Sequence, residues 1–410
     1  MQFKNSMNYP QVLLFGHQFD TKTGLGITLS NLFANWPKEN IGIMAASINI
    51  GECEKARPCG VYIGSPVCKK MSASTYNNKV RNAIKDIYYK LGLSDIRHNW
   101  NFSAEQIEQA KAFNPDVVFC CLGTYGAMMD CERIMGLLPN AKLVLYIVDD
   151  WVNTKSSRRY FKHYWNKKNN DLFKHLLDKS SGLLSICPFM SESYLKQYGK
   201  TFYPFHNPVD LNYWKSLPSN PKYGDGTTSI LFTGKINDDT KNCLLDTCKV
   251  VEQLNKDGNK FVFDVYSPNA NMHPDLFSHY PSCHLFSAIP HDEIPTVTKG
   301  YSAMLLTLGF SKESRKYVRL SMPTKLSEYL AAGIPTVLYC PEEIALSQYL
   351  KDKDCVFTCY ERDSAMLKDC MLALENKGMC KSKVENALRL AEDHDMAVVR
   401  DKFEKQMIVF

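Results

Sequence analysis

Short apolar runs alternate with longer helical segments along the whole chain of 410 residues. The apolar runs are rich in Val, Ile and Phe and end in Gly, Pro, Asp or Asn, as in "QVLLFG", "DVVFCCLG" and "KLVLYIVDD". Runs that are apolar on both faces are typical of parallel strands covered by helices. The alternation therefore predicts an α/β fold built on doubly wound sheets.

A polar segment interrupts this alternation at residues 216–228, which are rich in Pro, Gly and Ser and indicate a linker. We therefore predict an N-terminal Rossmann-like domain over 1–215 and a C-terminal Rossmann-like domain over 229–390. The last helix, 391–410, is expected to pack back on the N-terminal domain. Ligands of open α/β sheets bind beyond the carboxyl ends of the strands, so two such domains would face each other across a ligand-binding cleft.

The charge of the chain is mild but uneven. A net charge of +6 without a basic stripe argues against a nucleic-acid partner. Residues 155–179 concentrate eight Lys or Arg against two Asp, with Tyr160, Phe161, Tyr164 and Trp165 among them. This pattern fits either a solvated helical face or a patch that makes peripheral contact with an anionic membrane.

Cysteine usage and the N-terminus bear on the compartment. The 15 cysteines are an odd number without CxxC spacing, which favours buried reduced thiols. The N-terminus "MQFKNSMNYP" lacks the apolar core of a signal peptide, and no run approaches the roughly 18 apolar residues of a membrane span. We therefore expect a cytoplasmic protein, with any membrane contact peripheral and at the inner face.

The stretch "MPTKLSEYLAAGIPTVLYC", residues 322–340, sets Lys325 and Glu328 on one face of a short helix. Gly333 and Pro335 then end the helix before an apolar strand. One interpretation is a surface ion pair that contributes at most about 0.5 kcal/mol. The other is a ligand site, in which the carboxylate accepts hydrogen bonds from two vicinal ribose hydroxyls and the ammonium offsets a diphosphate.

Two segments of the N-terminal half carry further polar groups at strand ends. In "FGHQFDTKTGLGIT", Gly24 and Gly26 permit a tight turn, and the helix that starts there favours negative charge. "YIVDDW" ends a strand with Asp149 and Asp150. One of these carboxylates can cap the next helix, and the other can act as a general base whose pKa is raised by burial and by its neighbour.

The second half resembles a known family. "MPTKLSEYLAAGIPTV" is similar to the donor-binding segment of GT-B glycosyltransferases, especially the bacterial nucleotide-sugar-dependent group known as glycosyltransferase family 4 or group 1. "ILFTGKINDDTKN" resembles the first strand and loop of that family's C-terminal domain, and "LFSAIPHDEIPTVTKGYSAMLLTL" resembles the segment before its donor helix. By this resemblance Gly234, Lys235 and Lys241 approach the donor diphosphate.

The resemblance implies a metal-independent glycosyltransferase without a permanently bound cofactor. It would move a hexosyl group from a UDP- or GDP-sugar to a hydroxyl of a glycan or lipid-linked acceptor in polysaccharide biosynthesis. Relatives with an inverting mechanism take their general base from the N-terminal domain, which makes His17, Asp20, Asp149 and Asp150 the candidates. The Asp-x-Asp spacings at 352–354 and 393–395 lie far from where a metal-dependent sugar transferase would need them.

One departure from the family leaves alternatives open. Retaining members often carry two glutamates separated by seven residues, and Leu320 stands where the first would precede Glu328. The stereochemical outcome therefore stays open, as does the choice of base. The other functions considered are a GT-B relative such as an epimerase, a catalytically inactive nucleotide-sugar-binding protein, and a structural adaptor.

Overall fold

The computed structural model describes residues 9–66, 84, 86–88, 90–91, 100–154, 160–224 and 226–410. The chain folds into two compact units: the first runs to His206 and takes up Arg400–Phe410, and the second is Asn207–Val399. The boundary lies before the predicted linker at 216–228, because residues 207–224 pack on the second unit. Lys222 illustrates this, since its ammonium donates to the buried Asp264 carboxylate at 2.5 Å.

The first unit contains a seven-stranded sheet with every neighbouring pair parallel. Its strands are β1 Val12–Phe15, β2 Ile41–Ile48, β3 Val61–Pro66, β4 Val117–Cys121, β5 Lys142–Ile147, β6 Gly182–Ser185 and β7 Tyr203–Pro204, in the order β3-β2-β1-β4-β5-β6-β7. The sequence did not predict β3 or β7. The first lies in the Gly- and Pro-containing "VYIGSP", and the second is only two residues long at the sheet edge.

The second unit contains a six-stranded sheet in which every neighbouring pair is parallel. Its strands are β8 Thr228–Thr233, β9 Phe261–Ser267, β10 Cys283–Ser287, β11 Ala303–Thr307, β12 Thr336–Tyr339 and β13 Phe357–Cys359, in the order β10-β9-β8-β11-β12-β13. The prediction of two doubly wound α/β sheets is confirmed. Apolar residues on both faces of such parallel strands are expected, because helices cover both sides of the sheet.

Helices follow the strands in both units. In the first unit they are α1 Gly24–Leu32, α2 Ile50–Ala56, α3 Ala104–Phe113, α4 Tyr125–Leu137, α5 Trp151–Thr154, α6 Lys162–Lys179 and α7 Pro188–Tyr198. Next come α8 Leu211–Ser216, α9 Asp238–Lys256, α10 Ile294–Thr298, α11 Lys312–Val318, α12 Leu326–Ala331, α13 Ala345–Leu350, α14 Ser364–Leu372, α15 Lys377–Ala391 and α16 Met396–Val409.

The topology decides where a ligand can bind. In the first sheet the chain builds outward from β1 to β3 and then returns to the other side of β1 with β4. The second sheet repeats this plan, with β8 and β11 as the central neighbours. Open α/β sheets bind ligands beyond the carboxyl ends of the strands at such a switch point. A ligand is therefore expected at the loops after β1 and β4 in the first sheet, and at those after β8 and β11 in the second.

The end of α16 is part of the core of the first unit. The Phe403 ring lies 5.0 Å from the ring of Phe33 and 5.3 Å from that of Phe205. The Arg400 guanidinium donates to the Asn31 carbonyl at 2.6 Å. This apolar and polar anchoring explains why the last eleven residues group with the first unit rather than with the second.

Helix α6 carries most of the basic and aromatic segment predicted at 155–179, of which residues 155–159 lie outside the described residues. Trp165 is only 4% exposed and packs on Tyr125, so it is not part of a surface patch. Tyr160, Phe161 and Tyr164 are exposed, as a surface patch requires. In the described part of the chain, none of the helices combines the length and the apolar character needed to cross a membrane.

Candidate functional site

The loop after β8 brings Gly234, Lys235 and Lys241 to the switch point of the second sheet. Gly234 adopts a φ of 153°, which favours glycine, and its N–H donates to the Tyr266 carbonyl at 2.8 Å. Lys235 is exposed, and Lys241 lies half-buried near the start of α9. Gly234, Lys235 and Lys241, which are predicted to meet a diphosphate, therefore lie in the segment that follows the carboxyl end of the central strand β8.

The start of α9 is not an open anion site. Asn237 caps the helix by accepting from the Thr240 N–H at 2.8 Å, and Asp238 and Asp239 occupy the first turn. These carboxylates already complement the positive end of the helix. A diphosphate at this edge would therefore be held by lysine side chains rather than by the helix terminus.

Lys325 stands directly over Gly234. Its ammonium donates to the Thr233 carbonyl, and a β-carbon at Gly234 would collide with it. Burial lowers the pKa of Lys325 to about 8, and the Glu328 charge opposes this shift only in part. The protein thus holds a cation of reduced basicity at the end of β8, where its charge depends on its surroundings.

Glu328 lies on α12, one turn after Lys325, with its side chain only 11% exposed. Its Oε1 accepts a hydrogen bond from Nε2 of His291 at 2.9 Å. His291 lies in the segment "LFSAIPHDEIPTVTKGYSAMLLTL", whose sequence assigned it no role. A single histidine before a helical segment gives no sequence signal for a partner 37 residues away.

Contacts with Asn207 fix the position of α12. Ser327 Oγ donates to the Asn207 carbonyl, and Asn207 Nδ2 donates to the Thr324 carbonyl at 3.2 Å. Asn207 itself is almost fully buried. Gly333, with a φ of 69°, follows the helix as its predicted C-terminal glycine. The Glu328 carboxylate is therefore presented by a short helix whose start is fixed by Asn207 and which ends before Gly333.

Leu320, which stands where the sequence resemblance would place the family's first glutamate, is buried. Nearby, the loop after β11 passes close to the start of α9, since a β-carbon at Gly309 would collide with the Asp239 side chain. The loop after β11 thus comes against the helix that follows β8.

In the first unit, His17 follows β1 at the switch point. Its Nδ1 lies 2.8 Å from the Gly16 carbonyl, which can only accept, so Nδ1 carries the proton and Nε2 has the free lone pair. Burial lowers the pKa of His17 below its usual value, and the Asp20 charge opposes this only in part. His17 therefore has the protonation state that a general base needs.

Asp20 has a structural role. Its Oδ1 accepts from the backbone N–H groups of Lys22 and Thr23 at 2.8 and 2.6 Å, and its Oδ2 accepts from the Thr23 hydroxyl at 2.8 Å. The carboxylate also fills the space beside Gly26, where a β-carbon would collide with it. The turn at Gly24 and Gly26, predicted to favour an external anion, thus already holds the chain's own carboxylate.

The two aspartates after β5 differ in their surroundings. Asp150 is 1% exposed, and its Oδ1 accepts from the Tyr194 hydroxyl at 2.9 Å and from Asn153 Nδ2 at 2.7 Å. These bonds tie α5 to α7 and favour a structural role. Asp149 is half-buried and stays a candidate for proton transfer.

A cavity of about 170 Å³ lies beside His17 at the same end of the first sheet. It is lined mainly by apolar and thiol groups, including Phe15, Cys120 and Cys121. The Asp130 carboxylate also lines it, and burial raises the pKa of this acid although the Trp100 N–H donates to it. The cavity thus combines apolar walls with an imidazole and a carboxylate that can receive hydroxyl groups.

The Asp-x-Asp spacings have local roles. Asp354 adopts a φ of 46° and binds Lys383 at 2.7 Å, while Asp395 accepts from the Ala397 N–H at the start of α16. Across the described ranges no cluster of three or more His, Cys, Asp or Glu side chains has the geometry to hold a metal ion.

Solved structures share this architecture along nearly the whole chain. HepE of Anabaena in complex with UDP-glucose is 10% identical, with a TM-score of 0.63 over 96% of this chain and 98% of that chain. A glycosyltransferase of Rickettsia africae is 11% identical, with a TM-score of 0.64 over 98% and 99%. The trehalose-6-phosphate synthase OtsA is 10% identical, with a TM-score of 0.65 over 97% and 98%.

At such low identity this similarity establishes the fold alone. The protein has the fold of the GT-B glycosyltransferases, as the resemblance in its sequence predicted. No protein-family model matches the chain, and no curated protein matches it.

Proposed function

We propose that this protein, whose fold is that of the GT-B glycosyltransferases, transfers a hexosyl group from a UDP- or GDP-sugar to a hydroxyl acceptor. The observation that carries the proposal is the arrangement of Gly234, Lys325 and Glu328 at the switch point of the second sheet. A neighbour of the same fold is known in complex with UDP-glucose.

On this proposal each donor-side group has a separate task. Glu328 accepts hydrogen bonds from the two ribose hydroxyls, because a carboxylate offers two oxygens to a vicinal diol. Lys325 and the exposed Lys235 offset the diphosphate, with Lys241 near the start of the following helix. Their charge stabilises the diphosphate as it leaves with the electrons of the broken glycosidic bond.

On the acceptor side we propose His17 as the general base. Its Nε2 lone pair takes the proton of the acceptor hydroxyl as the oxygen attacks the anomeric carbon. The cavity beside it would hold part of the acceptor, with Asp130 receiving a hydroxyl hydrogen bond. Asp149, which is half-buried after β5, is the second candidate. The Asp20 and Asp150 carboxylates accept the hydrogen bonds described above.

The proposed acceptor is a hydroxyl of a glycan or of a lipid-linked molecule at a membrane surface. A glycan or lipid-linked acceptor in cell-surface polysaccharide synthesis would be reached from the cytoplasmic side of a membrane. The exposed aromatic rings before and at the start of α6, together with its lysines, support peripheral contact with anionic lipid. The cleft predicted between the two domains, and a reaction without a metal ion, belong to the same proposal.

A non-catalytic sugar-nucleotide-binding protein is the second candidate. It is favoured by one observation, namely that Leu320 replaces the acid of retaining relatives while Asp20 and Asp150 serve the fold. This protein would bind the nucleotide on the second unit and release no product.

Thermal-shift measurements with UDP, GDP, ADP and UDP-glucose, followed by an assay of UDP release from UDP-glucose, test the proposal. A ligand at a hundredfold excess over its Kd adds about 2.7 kcal/mol to the free energy of unfolding, which is readily detected as a raised Tm. We expect UDP or GDP to stabilise the protein and the matching sugar donor to be consumed. A raised Tm without consumption of the sugar donor, whichever glycan is added, would support the non-catalytic binding protein. A Tm that no nucleotide raises would refute both candidate functions.

A further inference from the structure

His291 and Glu328 form a pair across the donor-binding edge of the second unit. His291 opens the short turn 291–293 that follows Pro290 and leads into α10, whereas Glu328 lies on α12. The imidazole is 39% exposed and the carboxylate side chain only 11%. The 2.9 Å bond therefore connects the segment after β10 to the helix that carries the proposed ribose ligand.

This bond restricts how the carboxylate can turn. A half-buried hydrogen bond from Nε2 to Oε1 fixes the plane of the Glu328 carboxylate, whose rotation about its last bond is otherwise broad. An ionised carboxylate has about four lone-pair positions, so one bond from His291 leaves capacity for two further hydroxyl donors. His291 is thus able to orient Glu328 without displacing a diol from it.

The pair also carries charge that responds to pH. The Glu328 hydrogen bond raises the pKa of His291, burial opposes this, and the charges of Glu328 and Asp292 add to the increase. Two cations lie at the ends of α12: Lys325 precedes it, and Lys299 donates to the Ala332 carbonyl at 2.8 Å. Protonated His291 adds a third positive charge to an edge that is proposed to receive an anionic nucleotide.

We propose that His291 is a positioning residue that orients Glu328 toward the ribose and makes nucleotide affinity fall as the pH rises. The inference rests on the proposed donor-binding function of the second unit. Loss of the imidazolium charge leaves the hydrogen bond in place, because neutral imidazole still donates from Nε2 when Nε2 carries its proton. The charge and the orientation are therefore two separable contributions.

The test is calorimetric titration of UDP and GDP against the wild type, His291→Gln and His291→Ala at pH values from about 6 to 9. Gln keeps a neutral N–H donor and removes the titration, whereas Ala removes both contributions. We expect His291→Gln to bind roughly five- to tenfold more weakly than the wild type at pH 6 and nearly equally at pH 9. His291→Ala should bind more weakly than both at pH 9.

The comparison between variants removes other sources of pH dependence, such as the titration of the nucleotide phosphate and of Lys325. His279→Gln is the matched control, because His279 is an exposed histidine of the same unit. Parallel pH profiles for the wild type and His291→Gln would overturn the charge contribution. Equal affinity of His291→Ala and His291→Gln at pH 9 would overturn the positioning role.

A ligand-free readout separates this inference from the proposed function. In NMR titrations the His291 signal, identified by its loss in His291→Gln, should titrate at lower pH in Glu328→Gln than in the wild type. If this coupling is observed but neither UDP nor GDP binds the wild type, the donor-binding function fails and His291 is a structural partner of Glu328. If UDP binds and the coupling is absent, the inference fails while the function stands.

Discussion

The Lys325 ammonium occupies the space over Gly234 that a β-carbon would fill, and it donates there to the carbonyl of Thr233. The two residues lie far apart in sequence, yet a β-carbon at position 234 would meet the Lys325 ammonium at the end of β8. This relationship underlies the proposal that the nucleotide diphosphate binds at this edge of the second sheet.

A β-carbon at Gly234 should therefore displace Lys325. We expect Gly234→Ala to weaken UDP binding by about tenfold, the value of one charge-assisted hydrogen bond. Alanine is strained at the positive φ of position 234, so this variant should also have a lower Tm. Gly258→Ala is the control, since Gly258 has a φ of 97° but open space around it. Equal affinity in both variants, measured by calorimetry, would show that Lys325 does not meet the nucleotide.

Proton uptake should accompany diphosphate binding near pH 8. With a pKa of about 8, Lys325 is partly neutral at that pH, and an adjacent anion raises its pKa and draws a proton onto it. Calorimetry in buffers of different ionisation enthalpy should give an uptake of up to about half a proton at pH 8 and less at pH 6. Lys325→Met should lose the Lys325 share of this uptake. An unchanged uptake in Lys325→Met would contradict the assignment.

The role of Glu328 can be tested through the ribose itself. Glu328→Ala should weaken UDP binding by about tenfold or more, because it removes the acceptor of two hydroxyl hydrogen bonds. The same variant should have little effect on 2′,3′-dideoxy-UDP, which lacks those hydroxyls. Glu293→Ala, at an exposed position of the same unit, is the matched control. If both nucleotides lose affinity equally, Glu328 contacts another part of the ligand.

Substitution of His17 should affect turnover, whereas substitution of Asp150 should affect the stability of the fold. His17→Gln should retain UDP affinity but lose UDP release from UDP-glucose, since Gln cannot accept the proton. In the wild type the rate should fall only below pH 6.5, because the lowered pKa keeps His17 neutral above that value.

Asp150→Asn should keep turnover and lose roughly 1–3 kcal/mol of unfolding free energy, as its buried hydrogen bonds weaken. An inactive Asp150→Asn of native stability, beside an active His17→Gln, would reverse the assignment. A direct displacement assisted by a base inverts the anomeric carbon, so an inverted product, seen by NMR, would further support His17.

The rings of Tyr160, Phe161 and Tyr164 should matter for lipid binding if α6 contacts a membrane. We expect flotation with anionic vesicles, less with neutral ones, and a clear loss when all three rings are replaced by Ser. Tyr213→Ser, which removes an exposed ring from the second unit, should behave as the wild type. Equal recovery with anionic and neutral vesicles would refute the contact.

The sequence predicted the sheets well because their strands are continuous apolar runs, whose burial on both faces leaves a clear pattern. It missed β3, whose "VYIGSP" mixes polar and turn-forming residues, and it could not foresee that residues 207–224 pack on the second unit. That packing includes contacts between residues far apart in the chain, such as Lys222 with Asp264 and Asn207 with Thr324, which local pattern does not encode.

The site was predicted unevenly for the same reason. Gly234, Lys325 and Glu328 lie in segments with a family resemblance, and the structure brings them to one sheet edge. The sequence could not rank Asp20 and Asp150 among the candidates for the general base, because the hydrogen bonds that their carboxylates accept are visible only in the structure. His291 was missed because its significance arises only from its partner in space.

A crystal structure of the protein with UDP tests the account most directly. We predict that the ribose hydroxyls lie within hydrogen-bond distance of the Glu328 carboxylate, with the diphosphate beside Lys325 and Gly234. A nucleotide bound elsewhere, with Glu328 contacting only His291, would contradict the account.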